Sequence, residues 1–455
     1  MIRANSRLRH LLDDAGIDFV EHTASAIHRI LPHVQVSRWN EQEWAASESV
    51  WTSAERTKIR MTLAIGSKNE ANRRSLSAVI ERRSVPIVTP IARRVLDTRE
   101  HDICRRIADR ISEIFQRAPS LDSPTSINAI RDSFDEYVVA KHVEEHHRLQ
   151  TSMSGIFDAL HTLSEESYEN KSLTFGCILD PSVTGLATNA EFPGDFLRSK
   201  KYKALSDGFR TAYYLAKDGT VLNFIDLERF EKQKLTEKHY YPYWAKPIAS
   251  ASRAGRCGIA LSRQGDILVF DEGTLRFSYR FGRWQYWNHA HLVKLIRDRA
   301  KAQKVLPAVL GRVVGAIYRA ALDVSFRRSG GLFVILHNSR NLRDIVRKGD
   351  KIADPTRSAT DLEFDAIIGG HTIQSLPRAV AVELASLDGA VVLANSGLIL
   401  AYGAVLKPRR AGRLRGTEGS RTKAAIGASN YGLAIKISSD GAISVYYQGA
   451  EFITI

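Results

Sequence analysis

Cysteine is scarce in this chain. Its three residues, Cys104, Cys177 and Cys257, are widely spaced and odd in number. Their scarcity argues against a disulfide scaffold or a cysteine metal cluster and fits buried thiols in a reducing cytoplasm. Long apolar runs are missing too. The greasiest stretch, VLPAVLGRVVGAIYRAAL at 305–322, is short for a membrane span and is interrupted by Arg312 and Arg319, so it reads as an amphipathic helix. The first thirty residues carry charge throughout and lack the apolar centre of a secretion signal, so neither export nor a membrane location is expected. No internal repeat and no low-complexity tract is visible. Acidic residues are in deficit: 50 Asp and Glu against 65 Lys and Arg leave a formal charge of +15. Such a charge favours anionic partners (nucleotides, nucleic acid or acidic headgroups) by long-range attraction that salt weakens, but it does not choose among them.

What is present is a globular composition, 44% apolar and 25% charged, on a length that suits two or three domains. Residues 1–170 read as mostly helical, with candidate joints at SVPIVTP (84–90) and APSLDSPTS (118–126). Phe134, Val138, His142, Glu145, Leu149, Ile156, Leu160 and Leu163 recur every three to four residues and predict one long helix. Residues 171–300 are strand-rich. GIALSRQGDILVFDEGTLRFSYRFGRWQYWN at 258–288 predicts an antiparallel meander, with Leu275, Phe277, Tyr279 and Phe281 on one face. Residues 301–455 alternate helix and strand: a helix over 308–328 stopping at Gly330-Gly331, the strand LFVIL, and a helix from near Ser375 and Pro377 through Val380 and Leu384. A hairpin follows around Asn395-Ser396-Gly397, then a short helix in SRTKAAIGAS, then two strands joined at Ser439-Asp440-Gly441. The expected fold class is α/β: a C-terminal mixed β-sheet flanked by helices, preceded by a helical region and a smaller mixed α+β domain.

Three places carry candidate chemistry. HVEEH, His142 to His146, has two histidines at helical spacing and matches an inverted zinc-protease pattern, but His142 falls on the apolar seam and reads better as a packing residue. Trp284, Tyr286 and Trp287 could stack on a ligand, yet alternating aromatics are more often sheet packing. The third place is Asp388-Gly389-Ala390, between a helix and a strand, followed by Lys407, Arg409, Arg410, Arg413, Arg415, Arg421 and Lys423 with the single acid Glu418. Asp-Gly alone is a common turn, and a basic run is commonly a solvated loop. Gly419 and Ser420, however, open a helix whose free amides suit an anion, and cations in that first turn oppose the helix dipole unless an external negative charge offsets them. A polyphosphate would supply that charge.

At these residues the chain resembles the diadenylate cyclase domain family, whose signatures are Asp-Gly-Ala and, downstream, Gly-Thr-Arg-His-Arg-Ala-Ala. Here they stand as DGA at Asp388 to Ala390 and GSRTKAA at Gly419 to Ala425. The resemblance extends over roughly 305–455, and the 258–287 segment looks like sensor-type regions that precede some such domains. It implies that Asp388 holds Mg²⁺ or Mn²⁺ and helps deprotonate a ribose 3'-hydroxyl. It further implies that Gly389 and Ala390 line a nucleotide pocket, and that Gly419, Ser420, Arg421, Thr422 and Lys423 bind ATP. Family domains work as facing pairs, so a homo-oligomer is implied, making cyclic di-AMP and two pyrophosphates from two ATP. Thr422 stands where the family has histidine, and Lys423 replaces an arginine fork with a point charge. The alternatives are a non-catalytic nucleotide-binding regulator on the same domain and, ranked last for want of a recognition motif, a basic nucleic-acid-binding protein.

Overall fold

The computed structural model describes residues 19–32, 35–38, 76–80, 83–91, 97–117, 133–185, 190–194, 200–230, 235–301, 305–352, 354–407 and 419–455. Two compact units emerge: Met1–Lys234 with Ala245–Trp287, and Leu235–Trp244 with Asn288–Ile455. Both contain mixed sheets with helices, which makes the protein α/β. No helix among the described residues is long and apolar enough to cross a membrane.

The first unit opens with helix α1 (Phe19–Ile30) and a three-stranded sheet of β1 (Gln35–Arg38), β2 (Leu76–Ile80) and β3 (Arg83–Ile91), with β3 in the middle. The stretch read as a joint at 84–90 is therefore a strand. Of its prolines, Pro86 pairs with Ser77 of β2 and Pro90 with Val36 of β1. The second proposed joint, 118–126, lies outside the described residues. After α2 (Thr98–Arg117), the single long helix expected from periodicity is two, α3 (Phe134–His146) and α4 (Met153–Glu165). Arg148 turns left-handed at φ 53° and ends the first, and the Ser152 hydroxyl caps the second by accepting from the Gly155 amide at 3.2 Å. The apolar seam survives the break because Val138, Ile156 and Leu160 enter the same core.

That core lies on a seven-stranded sheet. Its strands are β4 (Phe175–Asp180), β5 (Thr211–Ala216), β6 (Val221–Asp226), β7 (Cys257–Leu261), β8 (Ile267–Asp271), β9 (Thr274–Arg280) and β10 (Arg283–Tyr286), in the order β10-β9-β8-β7-β4-β5-β6. Only β4 and β5 run parallel; β7 to β10 form the expected meander. Trp284, Tyr286 and Trp287 are buried, so these aromatics pack the interior.

In the second unit, α5 (His289–Ala300) and α6 (Pro307–Phe326) lead to β11 (Gly331–Leu336). The stop of α6 is not a glycine. Arg328 adopts φ 56°, its amide and that of Ser329 reach back to the carbonyls of Ser325 and Val324, and this double closure satisfies the helix end. Then come α7 (Ala359–Ile368), α8 (Arg378–Ser386), β12 (Ala390–Ala394), β13 (Ile399–Ala404), α9 (Ser420–Ala428), β14 (Gly432–Ile437), β15 (Ile443–Tyr447) and β16 (Ala450–Thr454). The six-stranded sheet runs β13-β12-β11-β14-β15-β16, with β11 and β12 parallel and Val334 opposite Val392. Every residue of β11 is buried, as a central strand covered on both faces requires. Leu332, Val334 and Leu336 share one core with Ala425 and Ala428 of α9.

Candidate functional site

The parallel pairing of β11 and β12 fixes where α8 must deliver the chain. Arg378, the first residue of α8, donates from Nε to Asp323 Oδ2 at 2.6 Å and from Nη2 to Asp323 Oδ1 at 2.8 Å, and the same Nη2 reaches the Tyr241 carbonyl at 2.6 Å. Asp323 also accepts from the Tyr243 amide at 2.7 Å. Burial pushes its carboxyl above the ordinary value, against the opposing pull of Arg378. This clasp pins the helix start. Three residues past its last turn the chain must enter β12, and Gly389 makes the entry at φ 124°. A Cβ there would stand 2.4 Å from the Gly403 carbonyl carbon, so only glycine allows β13 to lie this close. The consequence is that Asp388 is carried outward, its side chain fully exposed.

Helix α9 supplies the opposite wall. Gly419 is its N-cap, in extended conformation, with no side chain capping the first amides and open space where a Cβ would stand. The first-turn amides of Ser420, Arg421 and Thr422 thus have no partner within the helix. Arg421 points its guanidinium at Asp388, Nη2 to Oδ1 at 3.7 Å, while its Nε is buried without a hydrogen-bond partner among the described residues. That separation is a loose ion pair, and both groups keep most of their hydrogen-bonding capacity. Lys423 is half-buried on the same first turn, its amide donating to the Gly419 carbonyl at 3.1 Å.

Asp388, Gly389, Gly419, Ser420 and Arg421 thus gather at one rim, whereas Ala390 is buried as the first residue of β12 and belongs to the core. Thr422 is engaged elsewhere: its hydroxyl accepts from Lys436 Nζ at 3.0 Å. Lys436 escaped the sequence reading, although a lone cation inside the otherwise buried strand β14 was a visible signal. Beside it, burial and Glu451 push the Tyr446 phenol up to about 12. Gly330 was also missed as a site residue: a Cβ there would meet Arg421 Nη1 at 2.1 Å, so the glycine makes room for the arginine. Of the basic run, Lys407 donates to the Arg343 carbonyl at 3.1 Å, while Arg409, Arg410, Arg413, Arg415 and Glu418 lie outside the described residues.

The HVEEH segment does not assemble as a motif. His142 is buried, with Nδ1 2.8 Å from Asp102 Oδ2, and Glu145 is paired with Arg106. Burial holds the His142 imidazole below its ordinary value against the opposing influence of Asp102.

No protein-family model and no curated protein matches the chain. Among solved structures, it is similar to a double-mutant form of DacA from Staphylococcus aureus, 20% identical over 32% of this chain and 87% of that one, with a TM-score of 0.24. It is also similar to a hypothetical membrane spanning protein from Bacillus cereus, 19% identical over 37% of this chain and 75% of that one, with a TM-score of 0.24.

Proposed function

We propose that the second unit is a diadenylate cyclase domain that condenses two ATP into cyclic di-AMP and two pyrophosphates, adjusted by the first unit acting as a sensor. The observation that carries this reading is the approach of Asp388 and Arg421, from two separate sequence signatures, with an uncapped helix start beside them. Arg421, Lys423 and the amides of α9 bind triphosphate oxygens, where fixed donors offset the charge that develops in phosphoryl transfer. Asp388, open to solvent and bonded to nothing stronger than a loose pair, accepts the proton of a ribose 3'-hydroxyl. That oxygen forms a bond to the α-phosphorus of a second ATP held by a facing subunit, and the bond to pyrophosphate breaks; the reciprocal attack closes the ring.

A single exposed carboxylate also suits Mg²⁺ or Mn²⁺, which take one or two protein carboxylates and complete their shell with phosphates and water. When bound, the ion supplies further charge neutralisation on the phosphates. The test is incubation of the purified chain with ATP and either ion, followed by mass spectrometry for cyclic di-AMP, with Asp388→Ala alongside. Product from the parent only is the expected result; no product from either overturns catalysis.

A second reading has its own support. Thr422 occupies the place of a family histidine and is tied to Lys436, so that position is a structural contact in this chain. A nucleotide-binding regulator without turnover would bind ATP with metal and release no pyrophosphate.

A further inference from the structure

In the first unit, His146 is the last residue of α3, His147 is its C-cap, and Asp271 ends β8. One ligand atom from each lies within 4.8 Å of the other two. The protonation pattern follows from the neighbours. His147 Nδ1 is 3.0 Å from the Gly255 carbonyl, which can only accept, so Nδ1 carries the proton and Nε2 presents its lone pair. That lone pair faces Asp271 Oδ1 at 3.8 Å. His146 Nε2 is 3.3 Å from Arg99 Nη2, which can only donate, so it too presents a lone pair, 3.6 Å from Asp271 Oδ2.

Two imidazole nitrogens and a carboxylate therefore converge on one point. Such a set repels itself unless a cation is present. The cation is at present Arg99, paired with Asp271 and touching His146, with Arg276 Nε a further 3.6 Å from Asp271 Oδ2.

We propose that His146, His147 and Asp271 form a binding site for a borderline divalent ion of the zinc class, for which Arg99 is the internal placeholder. Two nitrogens and one carboxylate are the donor set such ions prefer, and they disfavour Mg²⁺. Bonds of about 2.0 Å in tetrahedral array put ligand atoms roughly 3.3 Å apart; here the two histidines stand 3.6 and 3.8 Å from different Asp271 oxygens and the three ligand atoms lie within 4.8 Å of one another, so the site must draw together around an ion. The Gly255 carbonyl orients His147 as outer partners of metal-bound imidazoles commonly do. The open side is the one from which an ion would enter: the His146 side chain is 36% exposed and that of Arg99 25%, whereas His147 and Asp271 are buried. The fourth position is left to water. Arg276 is a standing opposing charge, so the affinity is set by how readily Arg99 swings out.

The test uses the full chain, stripped with chelator and titrated with Co²⁺ by visible absorption, then with Zn²⁺ in competition. One Zn²⁺-displaceable Co²⁺ per chain with a low-coordinate d–d spectrum is expected. His147→Ala and Asp271→Asn each remove a ligand and should weaken binding by more than the roughly tenfold to hundredfold that loss of an outer partner costs. Arg99→Gln should tighten it by about tenfold, a gain that misfolding cannot produce. The proposal is overturned by an unchanged spectrum and affinity in His147→Ala, by Arg99→Gln binding no better than the parent, or by no binding to either.

Discussion

Gly330→Ala isolates the contribution of Arg421 without touching Arg421 itself. The added methyl would sit 2.1 Å from Nη1 and 2.9 Å from Cζ of that arginine, and no backbone atom is among its three nearest contacts. Ordinary contact begins near 3.4 Å, so the guanidinium must shift by about 1.3 Å from the position in which it faces Asp388. The colliding group is the far end of a flexible side chain, and Gly330 is not in the left-handed region, so the fold absorbs the change. Stability should stay level or rise by about 0.5 kcal/mol, because alanine restricts the unfolded chain. Function should not stay level. A charge-assisted contact to a phosphate is worth about 2 kcal/mol, so ATP affinity in the presence of metal should fall about thirtyfold. A displacement of this size can cost turnover about a hundredfold. Isothermal titration with ATP, product formation and a melting curve are the three assays. A double-mutant cycle sharpens the result: on an Arg421→Ala background, adding Gly330→Ala should cost nothing further. Parent-like ATP binding and product formation by Gly330→Ala, or full additivity with Arg421→Ala, would refute the reasoning.

Other expectations follow from the same structure. Arg378→Ala removes the partner of the buried Asp323 and the donor to the Tyr241 carbonyl, and should destabilise the second unit by about 3 kcal/mol in denaturant melts; a loss under 1 kcal/mol would show that the clasp is dispensable. His142 and His147 are both held below 6.5 by burial, so the unfolded chain binds more protons between their folded values and 6.5. Their contribution is complete above that pH and is lost as pH falls through the window, and the first unit should melt progressively earlier on acidification from neutral; a flat or rising melting temperature would contradict this. Cys104, Cys177 and Cys257 are buried, and burial pushes each thiol up, so a thiol reagent should find none of them in the native protein and three after denaturation. Rapid labelling of any one in buffer would contradict the packing described.

Much of the second unit was readable because its signals are local. Pro377 before α8, the Asn395-Ser396-Gly397 turn and the all-apolar run of β11 each fix their own element by backbone chemistry alone. The helix stop at Arg328 was misplaced onto Gly330-Gly331 because a left-handed arginine leaves no trace in composition, whereas paired glycines do. Helix periodicity could not reveal the break at Arg148, since α3 and α4 send their apolar faces into one core. At the candidate site, the two segments that hold Asp388 and Arg421 stood out in the sequence, and the structure brings these two side chains together. Lys436 and Gly330 were not legible, because their roles exist only after β14 and β11 have been laid beside α9. The grouping of His146, His147 and Asp271 was illegible for the same reason: a strand end and a helix end, remote in sequence, meet through the sheet.

Gly389 and Asp388 stand side by side yet answer to different demands. The glycine is held in place by the carbonyl of Gly403 pressed against it, and any other residue would push two strands apart. The aspartate touches almost nothing and can be exchanged without disturbing a packed atom. A change at Asp388 should therefore leave the fold standing where a change at Gly389 would not, and the middle letter of the triplet testifies to architecture.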